Sequence, residues 1–399
     1  MRPTALAVVA LVAAAIGASG SLLVAKTAGW VDGDAATVRT VVVSTEADAP
    51  LAAAPTATPL TGARFDPAAI FARSTPGVVT IYALFAGGGR SQGSGFVVSP
   101  EGHVLTNSHV ITNAGEGQNT VRGAQRVYVV FDDGDRIPAS IVGWDLFDDT
   151  GLIKFDPDDH TVSPLPLGDS DAVVVGHPVA AIGSPFGNEN SLAVGVVSAV
   201  SRSIPSLTSR YNVANAIQID APINSGNSGG PLLDARGRVI GINAQIRSES
   251  GNAEGVGFAI PINAARRSME QLIERGRVAY AYIGITTVDV TPALARRYDL
   301  RAQRGALIEE VVEDAPAERA GLKGAKRREV FNGSSVSLGG DLIVSLAGEP
   351  VVRADDIAKI VTGKLEPGQL VPVTVVRGGT GKRVTVRVRL IERPVDPEG

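Results

Sequence analysis

The stretch "INSGNSGGPLL", from Ile223 to Leu233, places three glycines and four small polar residues between apolar neighbours. Glycine adopts positive φ at little cost, and Asn and Ser bond to nearby backbone, so this composition is typical of a tight turn. A turn of this kind can also present the hydroxyl of Ser228 as a nucleophile. The stretch alone fits both interpretations, and the rest of the chain has to distinguish them.

The size and composition of the chain indicate a folded protein with more than one domain. Its 399 residues exceed one typical domain, and 44% hydrophobic with 20% charged residues is ordinary for packed cores. The net charge of −4 disfavours nucleic acid as a partner, because phosphate binding calls for a basic surface. The chain has no cysteine, and its four histidines lack metal-ligand spacing, so we expect no metal and no other cofactor.

The N-terminus predicts export. The uncharged run from Ala5 to Ala25 is long enough to cross a bilayer as a helix. We predict a signal anchor over residues 1–26, a single-pass segment with the body of the chain outside the cytoplasm, because Arg2 favours a cytoplasmic N-terminus. The alternative is a cleaved signal peptide and a secreted protein, since small residues at 17–20 are typical of a cleavage site.

Composition and periodicity divide the rest of the chain into three regions. Residues 27–64 are rich in Ala, Thr, Val and Pro without a period, which predicts a flexible linker. Residues 65–276 contain many short β-type runs separated by turn residues, a pattern typical of a β-barrel or sandwich. Residues 277–393 mix strands with short helices near 315–320 and 354–362, which predicts a separate α+β domain.

One clear helix is predicted at the end of the β-rich region. The segment "PINAARRSMEQLIERG" starts at Pro261 and stops at Gly276, a residue that favours helix termination. Its apolar residues recur with helical spacing, which indicates one buried face. The residues expected on that face are Ala264, Met269, Leu272 and Ile273.

A nucleophilic Ser228 needs a general base and an orienting carboxylate. His109 is the best base among the histidines, because in "VLTNSHVIT" it follows an apolar strand and it precedes the serine in the chain. The segment "GWDLFDDTGLIKF" offers Asp145, Asp148 and Asp149 as the acid. Strand alternation puts Asp149 on the side of the apolar residues, so we choose it and interpret Asp148 as part of a solvated turn.

The resulting order of His109, Asp149 and Ser228 is that of chymotrypsin-like proteases, and it argues against an esterase of the α/β-hydrolase type. The motifs "TNSHV", "DDTGLIKF" and "GNSGGPLL" resemble the three triad motifs of the HtrA (Deg) family of trypsin-fold serine proteases. The similarity spans roughly residues 65–391, since "GVGFAIPIN" and the C-terminal region also resemble that family. It implies a mainly β fold, with a chymotrypsin-like double six-stranded β-barrel followed by an α+β PDZ domain.

The resemblance and the chemistry agree on the roles of the site residues. Ser228 would attack the scissile carbonyl, His109 would carry its proton, and Asp149 would orient the imidazole. The loop of Gly226, Asn227 and Ser228 would form the oxyanion hole, with the N–H groups of Gly226 and Ser228 as donors. Asn227 replaces the Asp that pairs with a freshly cut N-terminus in digestive trypsins, which argues against activation by cleavage.

The predicted substrate pocket lacks a carboxylate. Pro222 and Ile223 lie where trypsin-like pockets carry an acidic residue, so a basic side chain would be buried without a partner there. We therefore expect cleavage after small or medium apolar residues. The remaining residues assigned to the pocket walls are Asn243, Ala244 and Gln245.

The C-terminal region is similar to a PDZ domain in "YIGI", "PAERAGLKG" and "GGDLIVSLAGEPV". The resemblance implies that Tyr282, Ile283, Gly284 and Ile285 bind the C-terminal carboxylate of a peptide that is added as a strand, beside the 354–362 helix. The domain could alternatively serve only as a spacer. Residues 323–340 exceed what a minimal PDZ domain needs and are expected to form a surface loop.

The resemblance also implies a function and an assembly. We expect a membrane-anchored, ATP-independent serine endopeptidase that degrades misfolded or regulatory exported proteins. Family members often form trimers through aromatic residues near the start of the protease domain, and Phe65 and Phe71 are the candidates here. The alternative function is a catalytically silent protease fold that acts as a chaperone or PDZ scaffold.

Overall fold

The structure is a computed structural model that describes residues 65–114, 121–184, 190–209, 211–223, 226–244, 256–378 and 380–395. The predicted signal anchor and linker lie outside these residues, and so does Gln245. In the described part of the chain, no helix has the length and apolar character needed to cross a membrane.

The first six strands form a closed barrel in the order β1-β2-β3-β6-β5-β4, completed by pairing of β1 with β4. Ile81, Val129 and Ile153 are fully buried, as expected where alternate strand residues point into a small barrel. Helix α1 precedes the barrel, and helix α2 follows β3. The elements are α1 Pro67–Ser74, β1 Val78–Leu84, β2 Arg90–Val97, β3 His103–Thr106, α2 Ser108–Ile111, β4 Arg126–Val130, β5 Arg136–Asp145 and β6 Thr150–Phe155.

A second closed barrel follows, with strand order β10-β11-β12-β9-β8-β7. Its interior is filled by buried aliphatic residues such as Val179, Ile219 and Leu232. The two barrels confirm the predicted double six-stranded fold. The strands are β7 Pro178–Gly183, β8 Ser191–Pro205, β9 Asn212–Ile219, β10 Pro231–Leu233, β11 Val239–Ala244 and β12 Gly257–Pro261.

Helix α3, Ile262–Arg275, is the helix predicted after the barrels, and it ends at Gly276 with φ of 69°. Its buried face runs through Ile262, Ala265, Ser268 and Leu272. The assignment of Ile273 to this face was wrong, because that side chain is 50% exposed. One residue along a helix turns by about 100°, which carries Ile273 off the stripe that ends at Leu272.

The C-terminal region contains a mixed fold around a sheet of order β14-β15-β18-β20-β21, with β19 paired to β18. Two of its helices, α5 and α6, lie where the sequence predicts them, whereas α4 and the earlier α1 were not predicted. The elements are β13 Ala281–Tyr282, β14 Ile285–Asp289, α4 Pro292–Arg297, β15 Ala306–Val311, α5 Pro316–Arg319, β16 Arg327–Phe331, β17 Ser334–Leu338, β18 Leu342–Leu346, β19 Glu349–Pro350, α6 Ala354–Lys364, β20 Leu370–Val376, β21 Arg383–Arg389 and β22 Ile391–Glu392.

The expected surface loop at 323–340 is instead a β-hairpin of β16 and β17. Its turn is Asn332-Gly333, with φ values of 50° and 82°. Two consecutive residues at positive φ match the twist of the flanking strands, and Asn-Gly is the sequence that best tolerates them. The "FNGS" signal was therefore present in the sequence and was overlooked.

Candidate active site

The structure brings His109 and Asp149 together in the first barrel. His109 lies on α2, and Asp149 lies in the turn between β5 and β6. The Nδ1 of His109 is 2.7 Å from Oδ2 of Asp149, and Oδ1 accepts bonds from the His109 amide at 3.0 Å and the Ser108 hydroxyl at 2.8 Å. Because Nδ1–H donates to the carboxylate, Nε2 keeps the lone pair that a general base requires.

The backbone of Asp149 is in the left-handed region, with φ of 44°. Its carbonyl accepts bonds from the Asn107 side-chain amide at 2.9 Å and from the Ser108 amide at 3.1 Å, which hold this conformation. Asp149 therefore precedes β6 rather than lying on it. The strand alternation used to select it does not apply there, although the selection leads to the residue that contacts His109.

The interpretation of Asp148 as a solvated residue was wrong. Its side chain is buried, and its Oδ2 lies 2.8 Å from the Tyr280 hydroxyl. Burial, and after it the charge of Asp145, raises the pKa of Asp148 to about 6. The sequence did not reveal this environment because Tyr280 is distant in the chain and reaches Asp148 only in the folded structure.

The electrostatic surroundings of His109 favour its charged form. Burial by itself would lower the pKa of the imidazole, but the charge of Asp149 and the hydrogen bond to it act in the opposite direction and prevail. The pKa of His109 is therefore raised above its usual value of 6.5. Stabilising the imidazolium is what an orienting carboxylate contributes to proton transfer.

Ser228 lies in a loop shaped by two glycines with positive φ, Gly226 at 102° and Gly229 at 87°. The serine is 4% exposed, and its hydroxyl has no hydrogen-bond partner among the described residues. Its carbonyl accepts a bond from the Ser94 amide at 2.8 Å. The structure therefore holds the backbone of the loop against β2 and leaves the hydroxyl without a bond to His109.

The predicted oxyanion donors have no acceptor among the described residues. In the described part of the chain, the N–H groups of Gly226, Asn227 and Ser228 donate to no other group. The carbonyl of Gly226 accepts a 2.6 Å bond from the Ser94 hydroxyl, which in turn accepts from the Ser184 amide at 2.9 Å. These bonds hold the loop by the carbonyl of Gly226 and leave its N–H groups out of the bonding that positions the loop.

Ser94 and Thr106 are positioning residues that the sequence reasoning missed. The Thr106 hydroxyl donates to the Ser94 carbonyl at 2.6 Å. A Cβ added to Gly229 would lie 2.1 Å from that carbonyl oxygen and 2.4 Å from the Thr106 hydroxyl. The close approach was signalled by Gly93 and Gly95 on either side of Ser94, since glycines inside a strand often mark a neighbouring backbone.

The predicted pocket residues occupy different environments. Ile223 and Ala244 are buried, at 6% exposure each, whereas Pro222 is exposed. Asn243 is fully buried, and its side-chain amide donates to the carbonyls of Ile182 at 3.2 Å and Pro231 at 3.1 Å. Asn243 therefore braces the strands beside the serine loop and does not present its side chain as a pocket wall.

The four residues of "YIGI" line a cavity of 170 Å³ against helix α6. Gly284 has φ of 77°, and a Cβ there would lie 2.2 Å from the Cβ of Ala315, so only glycine fits. Tyr211 and Arg393 also line the cavity. Neither was identified from the sequence, because both are remote from the PDZ-like motif.

One group of side chains could offer three ligand atoms to a cation. The side chains of Asp133, Asp135 and His160 lie within 4.8 Å of one another. The Nε2 of His160 is 3.0 Å from Oδ2 of Asp133, and an ion pair between the two accounts for this approach. The contact was not predicted from the sequence, because His160 lies in a different loop from Asp133 and Asp135. We assign no metal to this group.

Two closed barrels, an Asp–His pair on one and a serine in a glycine loop on the other, define the site of a trypsin-like serine protease. Comparison with known proteins agrees: a trypsin-like peptidase domain matches residues 93–242 and a PDZ domain matches residues 281–388. The solved HtrA-type protease AlgW with tripeptide has a TM-score of 0.67 and 32% identity, covering 82% of this chain and 98% of that one. The chain belongs to the HtrA-type family of trypsin-like serine endopeptidases.

Curated relatives give the same family. The DegP-like periplasmic serine endoprotease of Marinomonas sp. (strain MWYL1) is 39% identical over 308 residues, which are 77% of this chain and 58% of the relative. The one of Ectopseudomonas mendocina (strain ymp) is 38% identical over 299 residues, 75% of this chain and 56% of the relative. The chain thus spans little more than half the length of these relatives.

Proposed function

We propose that the chain is an ATP-independent serine endopeptidase that cleaves misfolded or regulatory exported proteins. The observation that carries this proposal is the 2.7 Å bond between His109 Nδ1 and Asp149 Oδ2 in a barrel that also contacts the Ser228 loop. That bond leaves Nε2 of His109 as the base for the serine hydroxyl. Triad hydrolysis consumes water alone, so the chemistry needs no nucleotide.

Acylation would proceed in two proton transfers at His109. Nε2 takes the proton of Ser228 as Oγ attacks the carbonyl, and the same nitrogen delivers it to the leaving amine. The N–H groups of Gly226 and Ser228 would stabilise the oxyanion, and each such donor contributes about 3 kcal/mol to transition-state binding. Water then repeats the sequence on the acyl-enzyme, with His109 again as the base.

The test is cleavage of an unfolded protein, such as β-casein, by the purified full chain. We expect peptide products that disappear in Ser228→Ala, together with covalent labelling of Ser228 by a fluorophosphonate. Cleavage that persists at full rate in Ser228→Ala would assign the activity to another protein or another residue and would overturn the proposal.

A catalytically silent chaperone or PDZ scaffold is the second candidate, and the lack of a partner for the Ser228 hydroxyl among the described residues favours it. The two functions differ in their response to peptides. An endopeptidase whose serine is completed by a conformational change should be labelled faster when a peptide ligand or substrate is present. A scaffold would suppress casein aggregation without any labelling or cleavage under these conditions.

The pocket supports a preference for small or medium apolar residues at the cleaved position. Ile223 and Ala244 are the buried apolar residues of the predicted pocket, and neither carries charge. Sequencing of the casein fragments by mass spectrometry would show mainly Ala, Val or Leu before the cut. A profile dominated by Lys or Arg would contradict this specificity.

The cavity at Tyr282–Ile285 supports binding of a peptide with a free C-terminal carboxylate. Its lining is mainly apolar, and Arg393, one of the lining residues, carries a positive charge. Fluorescence anisotropy with a labelled apolar peptide should show binding that is weakened by C-terminal amidation. Equal affinity for the acid and the amide would favour the spacer interpretation of this domain.

An extracytoplasmic location is supported by the curated relatives, which are named as periplasmic proteases. Anchoring through residues 5–25 is supported by their uncharged composition, and mass spectrometry of the mature N-terminus would separate an anchor from a cleaved signal.

A trimer is supported only by family membership and by Phe65 and Phe71, which are half-buried against the core. Analytical ultracentrifugation of the full chain in detergent, with the double variant to Ala as comparison, tests it.

A further inference from the structure

A second group of buried titratable side chains lies directly beside the triad. Asp145 and Asp148 are 1% and 8% exposed, and Tyr280 is 5% exposed. The Tyr280 hydroxyl is 2.6 Å from Oδ2 of Asp145 and 2.8 Å from Oδ2 of Asp148. The proposed peptidase chemistry uses none of these three groups, which we call the junction.

The number of protons in the junction decides its arrangement. A phenol has one proton to donate, and two ionised carboxylates would both require it. Asp145 is the better anion, because its carboxylate also accepts from the Ser268 hydroxyl at 2.7 Å and from the amides of Phe147 at 2.9 Å and Asp148 at 3.3 Å. A neutral Asp148 can then donate its own proton to the oxygen of Tyr280, whose proton goes to Asp145. This relay satisfies all three groups.

Charged groups face the junction from two sides. Arg267 on helix α3 and Arg393 near the C-terminus both act on Asp148 and lower its pKa, but less than burial and Asp145 raise it. The Arg393 guanidinium lies over the rings of Phe147, Tyr211 and Tyr280 at 5.2, 5.0 and 5.5 Å. The net result is a pKa of about 6 for Asp148, whereas burial and the two carboxylates keep the pKa of Tyr280 well above its usual range.

The junction is covalently continuous with the triad. Asp148 directly precedes Asp149, whose left-handed backbone is held on its other side by Asn107 and Ser108. The Thr150 hydroxyl donates to the Asp148 carbonyl at 3.2 Å and closes the same turn. The Asp148 side chain is therefore separated from the backbone that presents Asp149 to His109 by a single peptide unit.

We propose that Asp145, Asp148 and Tyr280 are positioning residues that share one exchangeable proton, and that the protonation of Asp148 sets the position of Asp149 against His109. Protonated Asp148 completes the relay and holds the turn. Ionised Asp148 loses its donated bond and faces the charge of Asp145, so the turn is pushed away from the junction. The strength of the Asp149–His109 bond then depends on a group that touches neither His109 nor Ser228.

The variant that tests this is Asp148→Asn, because Asn has the shape of the neutral acid and still donates to Tyr280. Asp133→Asn is the matched control, since Asp133 also contacts a histidine and carries no part of the relay. The first measurement is the pH titration of the low-field ¹H resonance of His109 Nδ1–H in the full chain, which requires no activity. The second is the pH profile of kcat and KM, and it rests on the proposed peptidase function.

In the unmodified protein we expect the His109 resonance to show, besides its own titration, a smaller inflection near pH 6. Asp148→Asn should abolish that inflection, Asp133→Asn should retain it, and a profile unchanged in Asp148→Asn would overturn the proposal. Tyr280→Phe removes the shared hydroxyl and should lower kcat by roughly ten- to a hundred-fold through misplacement of Asp149, with KM little changed. A Tyr280→Phe variant that changes only KM would contradict a positioning role. If the unmodified protein shows the inflection in the His109 resonance but cleaves no substrate, only the proposed peptidase function is refuted.

Discussion

The two halves of the active site differ in how completely they are assembled. On the first barrel, the Asp149 carboxylate accepts three bonds, from His109 Nδ1, the His109 amide and the Ser108 hydroxyl. On the second barrel, the Ser228 hydroxyl has no partner among the described residues, although Ser94 and Asn243 bond the backbone of its loop. The proposed acid–base pair is therefore bonded, whereas the proposed nucleophile has no bond to its base.

This difference follows from the groups that position Asp149 in one half and Ser228 in the other. Asp149 accepts its bonds from the side chains and amides of one continuous segment, Asn107–His109, and is joined on its other side to the junction through Asp148. Ser228 depends on a loop of glycines, whose backbone has more freedom. Completion of the triad then needs a small adjustment of the loop or of the serine rotamer, and no change in the first barrel.

The largest effect is expected for Ser228→Ala, which removes the nucleophile. We expect kcat to fall roughly a million-fold, the size of loss seen when a triad serine is removed. Hydrolysis of a chromogenic apolar peptide measures it. Ser99→Ala, which removes a serine hydroxyl bonded to His103 in the β2–β3 turn, should leave kcat unchanged.

A smaller loss, about ten-thousand-fold in kcat, is expected for Asp149→Asn, because an amide cannot hold the required imidazole tautomer. The low-field His109 resonance should disappear in this variant, while fluorophosphonate labelling of Ser228 becomes very slow. Asp133→Asn serves as the control on an exposed carboxylate. Full activity of Asp149→Asn would transfer the orienting function to another acid.

Gly229→Ala tests the serine loop separately from the Asp149–His109 pair. Gly229 has positive φ, and an added Cβ there would lie 2.1 Å from the Ser94 carbonyl oxygen. We expect at least a hundred-fold fall in kcat, since the serine and the oxyanion donors are displaced together. The His109 resonance should be retained, because the new Cβ meets Ser94 and Thr106 and not the Ser108 hydroxyl and His109 amide that bond the Asp149 carboxylate. Gly237→Ala is the matched control: its φ is 77°, but its nearest neighbour would be the far end of Arg73 at 3.6 Å.

The pH dependence reports on the assembled half. The base must be neutral, so kcat/KM should be lost as pH falls through the pKa of His109. That pKa is raised above 6.5, because the charge and hydrogen bond of Asp149 outweigh burial. The midpoint of the kcat/KM profile is therefore expected above pH 6.5, and a midpoint below this value would contradict the His109–Asp149 geometry.

The smallest effect concerns stability and the junction. The pKa of Asp148 rises from an ordinary 3.8 to about 6 in the folded chain, so between these values the folded state binds the extra proton. Stability is then highest below about pH 4 for this group and is lost as pH rises through about 6, by roughly 1–3 kcal/mol. Urea unfolding of Asp148→Asn at pH 5 and pH 7.5 should show this pH dependence removed, whereas Asp132→Asn, at an exposed carboxylate in the β4–β5 turn, should keep it.

Much of the fold and site could be predicted from local pattern. Short alternating runs indicated the barrels, helix α3 followed from its spacing and its terminal glycine, and the order of His109, Asp149 and Ser228 indicated the chemistry. The hairpin at 327–338 carried an Asn-Gly signal that was overlooked. These features depend on neighbours in the chain, so the sequence displays them directly.

The errors arose where distant residues meet. Asp148 was interpreted as part of a solvated turn, but it is buried and bonded to Tyr280. Asn243 was predicted to line the pocket, but its amide donates to the carbonyls of Ile182 and Pro231. Ser94 appeared to be an ordinary strand residue, yet its hydroxyl fixes the Gly226 carbonyl. Burial and partner choice at these positions depend on segments far apart in the chain, and a single sequence contains no record of that proximity.

The sequence by itself determined the family and the reaction class and predicted the residues proposed to perform the reaction, because these depend on residue types and their order. Only the tertiary structure decided how far the site is assembled: the Asp149–His109 pair is bonded, and the Ser228 hydroxyl is not. It alone also placed two buried carboxylates around one phenol beside Asp149. The physical reason is that hydrogen bonds and desolvation act through space, and folding sets the distances on which both depend.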